Sequence, residues 1–232
     1  MINQKILLIG GTGLLGYYWI NYKSNKKKLY VNIHKNKKKS KDINYINLNL
    51  NNFNSLKKYI ERKKIKTIVN MAAMTNIEEC EKYKKKAFKI NVKIPELLSR
   101  VAKLLKIRYV YISTDQLFSG LKKIYTEKDY PNPLNYYAKT KAESEREILK
   151  IYNKSLIIRT NFFCLGQNIK HTFLDQILKS LKSNKKIYLW DNFYFSPIYT
   201  KNLIKIIMIL IKKKKSGIYN ISTNERISRF DY

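Results

Sequence analysis

Apolar and polar positions follow a repeating order along the chain, in which a short apolar run precedes a longer amphipathic stretch. The first run, Lys5-Ile6-Leu7-Leu8-Ile9, is typical of a buried strand, and residues 29–33 form a second run rich in strand-favouring residues. Further strands are predicted at residues 45–50, 66–70, 108–112 and 156–159.

Amphipathic stretches separate these runs. Residues 53–63 predict a helix with one apolar face, and longer helices are predicted at residues 87–105 and 134–152. Alternating strands and helices with short connections are typical of a parallel sheet with helices on both faces. We therefore predict an α/β fold of the Rossmann type, with a doubly wound parallel sheet.

The pattern becomes less regular after residue 164. A helix at residues 172–181, a short strand at 187–189, a helix at 203–211 and a strand at 218–221 are predicted there. These elements resemble a small appended unit. We therefore predict a sheet domain over residues 1–164 and a smaller lobe over residues 165–232.

The composition is strongly basic, with a formal net charge of +32. Lysines are spread over the whole length, and no zinc-finger spacing, arginine-rich arm or aromatic RNA-binding motif accompanies them. Solvated lysine surfaces explain this charge without a nucleic-acid partner. Nucleic-acid binding driven by charge is the alternative.

Two features bear on the cellular compartment. Cys80 and Cys164 lie far apart in the sequence and predict buried thiols of a reducing compartment, without a disulfide. The apolar run at residues 203–210 is interrupted by Lys205 and is too short to span a bilayer. We therefore expect a cytoplasmic protein that does not bind a membrane.

Glycines are concentrated at one place. Four of the seven lie in Gly10-Gly11-Thr12-Gly13-Leu14-Leu15-Gly16, directly after the first strand and before a helix. Such a turn can bind a pyrophosphate through exposed backbone N–H groups. The alternative is a glycine-rich turn without a ligand. The predicted cofactor contacts are Gly10, Thr12, Gly13, Leu14, Leu15 and Gly16.

The stretch after the second strand bears on the choice of dinucleotide. In dinucleotide-binding folds an acidic residue there binds the ribose 2′-OH, whereas a basic residue accommodates a 2′-phosphate. This chain has no acidic residue between the glycines and Asp42, and His34 and Lys35 stand in that place. NADP(H) is therefore favoured, while NAD(H) stays open, as does a plain surface role for His34.

Tyr137 and Lys141 are four residues apart, so both lie on one helical face. The spacing alone is weak evidence, because Tyr22 with Lys26 shows it as well. Only Tyr137 opens a helix after a proline-rich loop and follows a strand that ends in Ser113-Thr114. Since the carboxyl ends of parallel strands form the ligand-binding edge, these residues should lie close to the glycines.

Three motifs occur in a fixed order: Gly-x-x-Gly-x-x-Gly, Ser-Thr-Asp and Tyr-x-x-x-Lys. In this respect the chain resembles the extended short-chain dehydrogenases/reductases, and it is most similar to the dTDP-4-dehydrorhamnose reductase subfamily. The blocks that carry the resemblance are residues 70–76, 111–120 and 133–143, Ile157-Ile158-Arg159-Thr160 and Ser196-Pro197.

The resemblance implies roles for individual residues. Tyr137 would donate a proton to the ketone oxygen, Lys141 would lower the pKa of Tyr137 and hold the nicotinamide ribose, and Thr114 would hydrogen-bond the oxygen. Asn91 would order a proton-relay water, or else be a buried structural amide. Further cofactor contacts would come from Ala72, Ala73, Ser113 and Asn49, the last in place of the family's usual aspartate.

The implied function is NADPH-dependent reduction of a nucleotide-linked 4-keto-6-deoxysugar, in deoxysugar or polysaccharide biosynthesis. The expected partner is a nucleotide-sugar substrate, with a second copy in a homodimer, and no metal is expected. Alternatives are a sugar-nucleotide epimerase or dehydratase, and a non-catalytic regulatory relative that binds a dinucleotide. Because the family normally extends past the position of Tyr232, residues 165–232 are expected to form an incomplete substrate-binding lobe.

Overall fold

The structure is a computed structural model that describes residues 4–22, 26–33, 42–167 and 169–232. Its strands are β1 Ile6–Ile9, β2 Leu29–Asn32, β3 Asn44–Ile46, β4 Thr67–Asn70, β5 Arg108–Ile112, β6 Leu156–Thr160, β7 Phe162–Phe163, β8 Tyr194–Phe195, β9 Ile198–Tyr199, β10 Gly217–Ile221 and β11 Ile227–Ser228.

Eight α-helices are found in the described part of the chain. They are α1 Leu14–Asn21, α2 Phe53–Lys63, α3 Ile77–Lys82, α4 Lys84–Phe88, α5 Ile94–Leu104, α6 Tyr136–Ile151, α7 Phe173–Lys182 and α8 Thr200–Lys212. A π-helical turn, Lys89–Lys93, joins α4 to α5.

Seven of the strands form one sheet in the order β10-β6-β5-β4-β1-β2-β3, and neighbouring strands are parallel. Strand β1 is central, with Ile6 opposite Leu29 of β2 and Thr67 of β4. The chain passes outward from β1 in both directions, so the strand order reverses beside β1. Ligands in open parallel sheets bind at the carboxyl edge of such a reversal. The predicted Rossmann-type fold is confirmed.

Both faces of the sheet are covered by helices. Successive residues of a strand point to opposite faces. Accordingly, Leu8 packs in one apolar cluster with Trp19 of α1 and Leu203 of α8, whereas Leu7 packs in the other with Leu56 of α2. Helices α5 and α6 also contribute to the second cluster. The central strands are mostly apolar because both of their faces are buried.

The boundary predicted after residue 164 does not match the sheet. Helix α8 packs in the same cluster as α1, and β10 pairs with β6, with Ile218 opposite Ile157. The helix predicted at residues 203–211 therefore packs on the main sheet, and the strand predicted at residues 218–221 is its edge strand. Neither element belongs to the lobe. Apolar periodicity shows that a helix or strand exists, but it does not show which neighbour buries the apolar face.

Other element bounds differ from the predictions. The helix predicted at residues 87–105 begins at Lys84 and is interrupted by the π-helical turn, and α3 precedes it unpredicted. Residues 187–189 are not a strand. The strand predicted at 45–50 is shorter and ends at Ile46.

The smaller lobe consists of short elements. Strand β7 pairs with β9, β8 pairs antiparallel with β11, and α7 begins with a capping box between Thr172 and Asp175. Cys80 and Cys164 are both buried as free thiols. No helix in the described residues is long and apolar enough to cross a bilayer.

Candidate active site

The glycine-rich turn packs directly against the segment that follows β4. Gly10 has φ +78°, a backbone conformation that favours glycine. A Cβ atom at Gly10 would lie 2.6 Å from the backbone nitrogen of Ala72. The Gly10 carbonyl accepts a hydrogen bond from the Gly13 N–H over 3.0 Å, which closes the turn. Close packing and backbone conformation therefore both require glycine at this position.

Helix α1 begins at this turn with free hydrogen-bonding capacity. Gly13 is its N-cap and provides no side-chain cap, and the first turn contains no acidic residue. Leu14, Leu15 and Gly16 form that first turn. Unpaired N–H groups and the helix dipole favour an anion at such an end. The geometry therefore fits a pyrophosphate at the place predicted from the glycines, close to the partly exposed Thr12.

Asn70, the last residue of β4, fixes the neighbouring backbone. Its amide nitrogen donates to the Tyr109 hydroxyl over 3.1 Å, and its Oδ1 accepts from the Ala72 N–H over 3.1 Å. Asn70 is fully buried, whereas Ala72 and Ala73 are partly exposed at the sheet edge. The predicted contacts Ala72 and Ala73 thus lie beside the glycine turn.

The adenosine side of the predicted site is described only in part. His34 and Lys35 lie outside the described residues. Asn32, at the end of β2, accepts a hydrogen bond from the Leu48 N–H over 2.7 Å, which joins this strand end to the segment after β3. Asn49 is exposed on that segment, and its Oδ1 accepts from the Asn51 N–H over 3.0 Å.

Ser113 and Thr114 follow β5 at the same edge. The Ser113 N–H donates to the Ile158 carbonyl over 2.6 Å, and the buried Ser113 hydroxyl has no hydrogen-bond partner among the described residues. Thr114 caps a short 3₁₀ turn, since its hydroxyl oxygen accepts from the Gln116 N–H over 3.2 Å. The capping contact orients the Thr114 side chain.

Tyr137 is the second residue of α6. Asn135 caps this helix by accepting from the Ala138 N–H over 2.9 Å. Burial raises the pKa of Tyr137, a hydrogen bond with the Thr114 side chain opposes the rise, and the charge of Asp115 adds to it. The phenol therefore holds its proton at neutral pH, next to the Thr114 side chain.

Lys141 lies one turn further along α6 and is 1% exposed. Its ammonium donates to the Ile112 carbonyl over 2.7 Å and lies 4.0 Å from the centre of the Tyr111 ring. Burial lowers the pKa of Lys141 to about 7, and the charge of Glu145 counteracts part of that shift.

The expectation that Lys141 lowers the pKa of Tyr137 stays a prediction. The opposing influence on the Tyr137 pKa comes from Thr114, and burial dominates. The Lys141 ammonium itself contacts β5, at Ile112 and Tyr111.

Asn91 lies in the π-helical turn and is fully buried. Its side chain accepts from the Met74 N–H over 2.8 Å and donates to the Met74 carbonyl and the Thr140 hydroxyl, each over 3.0 Å. The amide is thereby fully engaged in joining the segment after β4 to α6. Of the two roles considered, the contacts fit the structural one.

Several residues near the site carried no role in the sequence reasoning. Glu145 and Arg159 form a buried ion pair behind Lys141, and Asn161 donates to the Asp115 carboxylate over 3.0 Å. Tyr111 could have been noticed from strand alternation, because it lies two residues after Tyr109 and so on the same face of β5. The ion pair left no such signal.

A cavity of about 110 Å³ adjoins the glycine turn on the side of the small lobe. Its wall includes Leu14, Asn161, Cys164 and Arg229. The Arg229 guanidinium lies 4.8 Å from the centre of the Phe173 ring. Aromatic and cationic groups thus line this cavity.

These features define a class of protein. A glycine-rich turn at the start of a helix, at the strand-order reversal of a parallel sheet, forms a dinucleotide site. Thr114, Tyr137 and Lys141 lie together at the carboxyl end of β5, which is the constellation of a short-chain dehydrogenase/reductase. No group of three potential metal ligands occurs within the described ranges.

The chain belongs to the RmlD substrate-binding family, whose model matches residues 4–232. Among curated relatives, the dTDP-4-dehydrorhamnose reductase of Aggregatibacter actinomycetemcomitans is 27% identical over 199 residues, covering 82% of this chain and 66% of that protein. The methionine adenosyltransferase 2 subunit beta of Xenopus tropicalis is 26% identical over 238 residues, covering 98% of this chain and 70% of that protein. This chain therefore spans about two thirds of the length of these relatives.

Solved structures support the same fold. A hypothetical dTDP-4-dehydrorhamnose reductase from Sulfolobus tokodaii superposes with a TM-score of 0.84 at 33% identity, covering 97% of this chain and 78% of that one. The dTDP-4-dehydrorhamnose reductase of Bacillus anthracis, solved in complex with NADP, has a TM-score of 0.82 at 23% identity, covering 98% of this chain and 77% of that one. The resemblance to the short-chain dehydrogenases/reductases, predicted from motifs, is confirmed.

Proposed function

We propose that this chain reduces a nucleotide-linked 4-keto-6-deoxysugar with NADPH, as part of deoxysugar or polysaccharide biosynthesis. The observation that carries the proposal is that Thr114 and Tyr137 are both buried at the sheet edge that also presents the glycine turn, where the Thr114 side chain acts on the pKa of the phenol. A proton donor and an anion-binding helix terminus at one edge suit hydride transfer to a ketone.

The dinucleotide, when bound, supplies the hydride. Tyr137 holds the proton that the new alkoxide needs, and its raised pKa keeps that proton in place until the oxygen becomes basic. Thr114 provides a second hydrogen bond for the developing negative charge. Lys141, anchored on Ile112, places a positive charge one helical turn from Tyr137.

The fold supports a nicotinamide dinucleotide, and NADP(H) is the proposed form. The support is the absence of an acidic residue between the glycine turn and Asp42, with His34 and Lys35 in the place of the usual carboxylate. Titration with NADPH and with NADH tests this. Replacing Lys35 with Asp should weaken NADPH binding far more than NADH binding, and equal binding of both by the unaltered chain would contradict the proposal.

The proposed substrate follows from the relatives. Reductases named for dTDP-4-dehydrorhamnose are 27% identical over most of this chain and 33% identical in the Sulfolobus tokodaii structure. A dTDP-linked 4-keto-6-deoxysugar is therefore the first compound to test. A homodimer stays a prediction, which light scattering tests.

The decisive experiment measures NADPH oxidation with a panel of 4-keto nucleotide sugars. Tyr137→Phe removes the proton donor and keeps the ring, so turnover should fall roughly 100-fold or more while NADPH binding is kept. Tyr136→Phe is the matched control, because it removes a hydroxyl from the preceding, partly buried residue. Full turnover by Tyr137→Phe would overturn the proposal.

A second candidate is a non-catalytic subunit that binds a dinucleotide. It is favoured by relatives named methionine adenosyltransferase 2 subunit beta, one of which matches 98% of this chain. NADPH binding without turnover on any sugar of the panel would support this candidate. A third outcome would support a sugar-nucleotide epimerase or dehydratase, which oxidises its substrate and then reduces it. In that case a nicotinamide dinucleotide should stay bound through purification, and the protein should show epimerase or dehydratase activity.

A further inference from the structure

The environment of the Lys141 ammonium is nearly devoid of negative charge. The one carboxylate that favours its charged form is that of Glu145, and this carboxylate accepts two short hydrogen bonds from Arg159, of 3.0 and 2.7 Å. The ammonium is left with the Ile112 carbonyl and the Tyr111 ring. A buried ammonium with one hydrogen bond is costly unless another group stabilises the charge.

The Tyr111 ring is suited to that role. Its centre lies 4.0 Å from Lys141 Nζ, within the range of a cation–π contact. Such contacts are strongest where water is excluded, and both side chains are fully buried. The ring is oriented from the far side, because its hydroxyl donates to the Asn91 carbonyl over 3.4 Å.

The remaining titratable groups around Lys141 do not replace the ring. Tyr137 and Glu145 lie on the same helix, Arg159 faces them from β6, and Asp115 acts on Tyr137 from the 3₁₀ turn. Tyr137 is neutral at ordinary pH, and the Glu145 carboxylate, which favours the charged form of Lys141, is held by Arg159.

We propose that Tyr111 is a positioning residue, whose ring face holds the Lys141 ammonium on β5 and favours its charged form. The catalytic part of this inference rests on the proposed function, in which the reduction needs the positive charge of Lys141. The contact itself does not depend on turnover, so it is tested separately.

The test is an NMR titration of the lysine side chains, labelled with carbon-13 at Cε. The Lys141 signal is identified by its loss in Lys141→Met. In Tyr111→Phe the ring remains, so the titration midpoint should stay close to that of the unaltered chain. Mono-, di- and trifluorinated phenylalanines at position 111 keep the shape but withdraw charge from the ring face, so the midpoint should fall stepwise, by about one pH unit in total.

The same series at Tyr109 is the matched control. Tyr109 is equally buried on the same strand, and its hydroxyl accepts a hydrogen bond from Asn70. The fluorinated series at position 109 should leave the Lys141 midpoint unchanged. An unchanged midpoint throughout the series at position 111, or an equal shift from position 109, would overturn the proposal.

Activity gives an independent check. If the chain reduces a nucleotide sugar, its turnover rate should decline at high pH as Lys141 loses its proton. In the fluorinated variants at position 111 this decline should begin at lower pH, in step with the Lys141 titration midpoint, whereas in Tyr111→Phe it should stay where it is in the unaltered chain. If no substrate turns over, the proposed function fails, and the titration still decides the role of Tyr111.

Discussion

The Arg159 guanidinium and the Glu145 carboxylate form an ion pair with N–O distances of 2.7 to 3.2 Å, and each side chain is only 4% exposed. The pair joins β6 to α6 behind Lys141. Removing one partner of a buried pair leaves an unpaired charge, which costs far more than the pair itself contributes.

We expect Glu145→Gln to lower the free energy of unfolding by about 3 to 5 kcal/mol in denaturant titrations. Arg146→Gln is the control, because Arg146 also pairs with a carboxylate, that of Glu143, over 2.6 Å, but is 70% exposed. Its effect should be below about 1 kcal/mol. Equal effects of the two substitutions would show that burial does not determine the strength of the Glu145–Arg159 pair.

Gly10→Ala should weaken dinucleotide binding by roughly tenfold or more, because the added Cβ would push the Ala72 backbone away from the turn at which we propose that the pyrophosphate binds. Gly120→Ala is a matched control for the backbone conformation. Gly120 has φ +82°, and a Cβ there would meet nothing within 4 Å. Gly120→Ala should lose about 1 kcal/mol of stability and keep its affinity for NADPH. Similar losses of affinity would exclude the Gly10–Ala72 contact as the cause.

Asn91→Ala should destabilise the fold by about 3 kcal/mol, because it leaves the buried Met74 N–H and carbonyl without their partners. The comparison is Asn52→Ala at the exposed N-cap of α2, where Asn52 accepts from the Ser55 N–H and about 1 kcal/mol is expected. Denaturant unfolding measures both. A loss of turnover at unchanged stability would instead support the water-relay role of Asn91.

The sheet could be predicted well because its central strands are buried on both faces and are therefore mostly apolar. Residues 108–112 and 53–63 match β5 and α2 without a shift. Helix α2 was predicted from its single apolar face, and the structure shows in addition that Asn52 caps its N-terminus. The placement of α8 and β10 could not be predicted, because their apolar faces suit a separate lobe as well as the main sheet.

The candidate site could be predicted as a set of residues, but its electrostatics could not. The order of the motifs predicted that Thr114, Tyr137 and Lys141 lie at one edge of the sheet. In a chain with 48 basic residues, nothing in the sequence distinguishes Lys141 as the lysine whose ammonium is buried. Its contacts with Ile112 and Tyr111 depend on how closely α6 packs on β5, which local sequence does not specify.

The lowered pKa of Lys141 makes stability depend on pH in a defined direction. Its pKa is about 7 in the folded chain and about 10.4 when unfolded. Between these values the unfolded chain binds more protons, so the free energy of unfolding rises with pH. The destabilisation by Lys141 is complete below about pH 7 and disappears above the unfolded pKa.

Lys141→Met removes this dependence. The variant should be more stable than the unaltered chain at pH 7, and the difference should shrink by about 3 kcal/mol at pH 9.5. Buried tyrosines with raised pKa, such as Tyr109, are present in both proteins and cancel in the difference. Lys139→Met, at an exposed position of the same helix, is the control for the loss of a lysine side chain. Urea unfolding at the two pH values measures each difference, and a constant difference for Lys141→Met would mean that Lys141 titrates as an ordinary surface lysine.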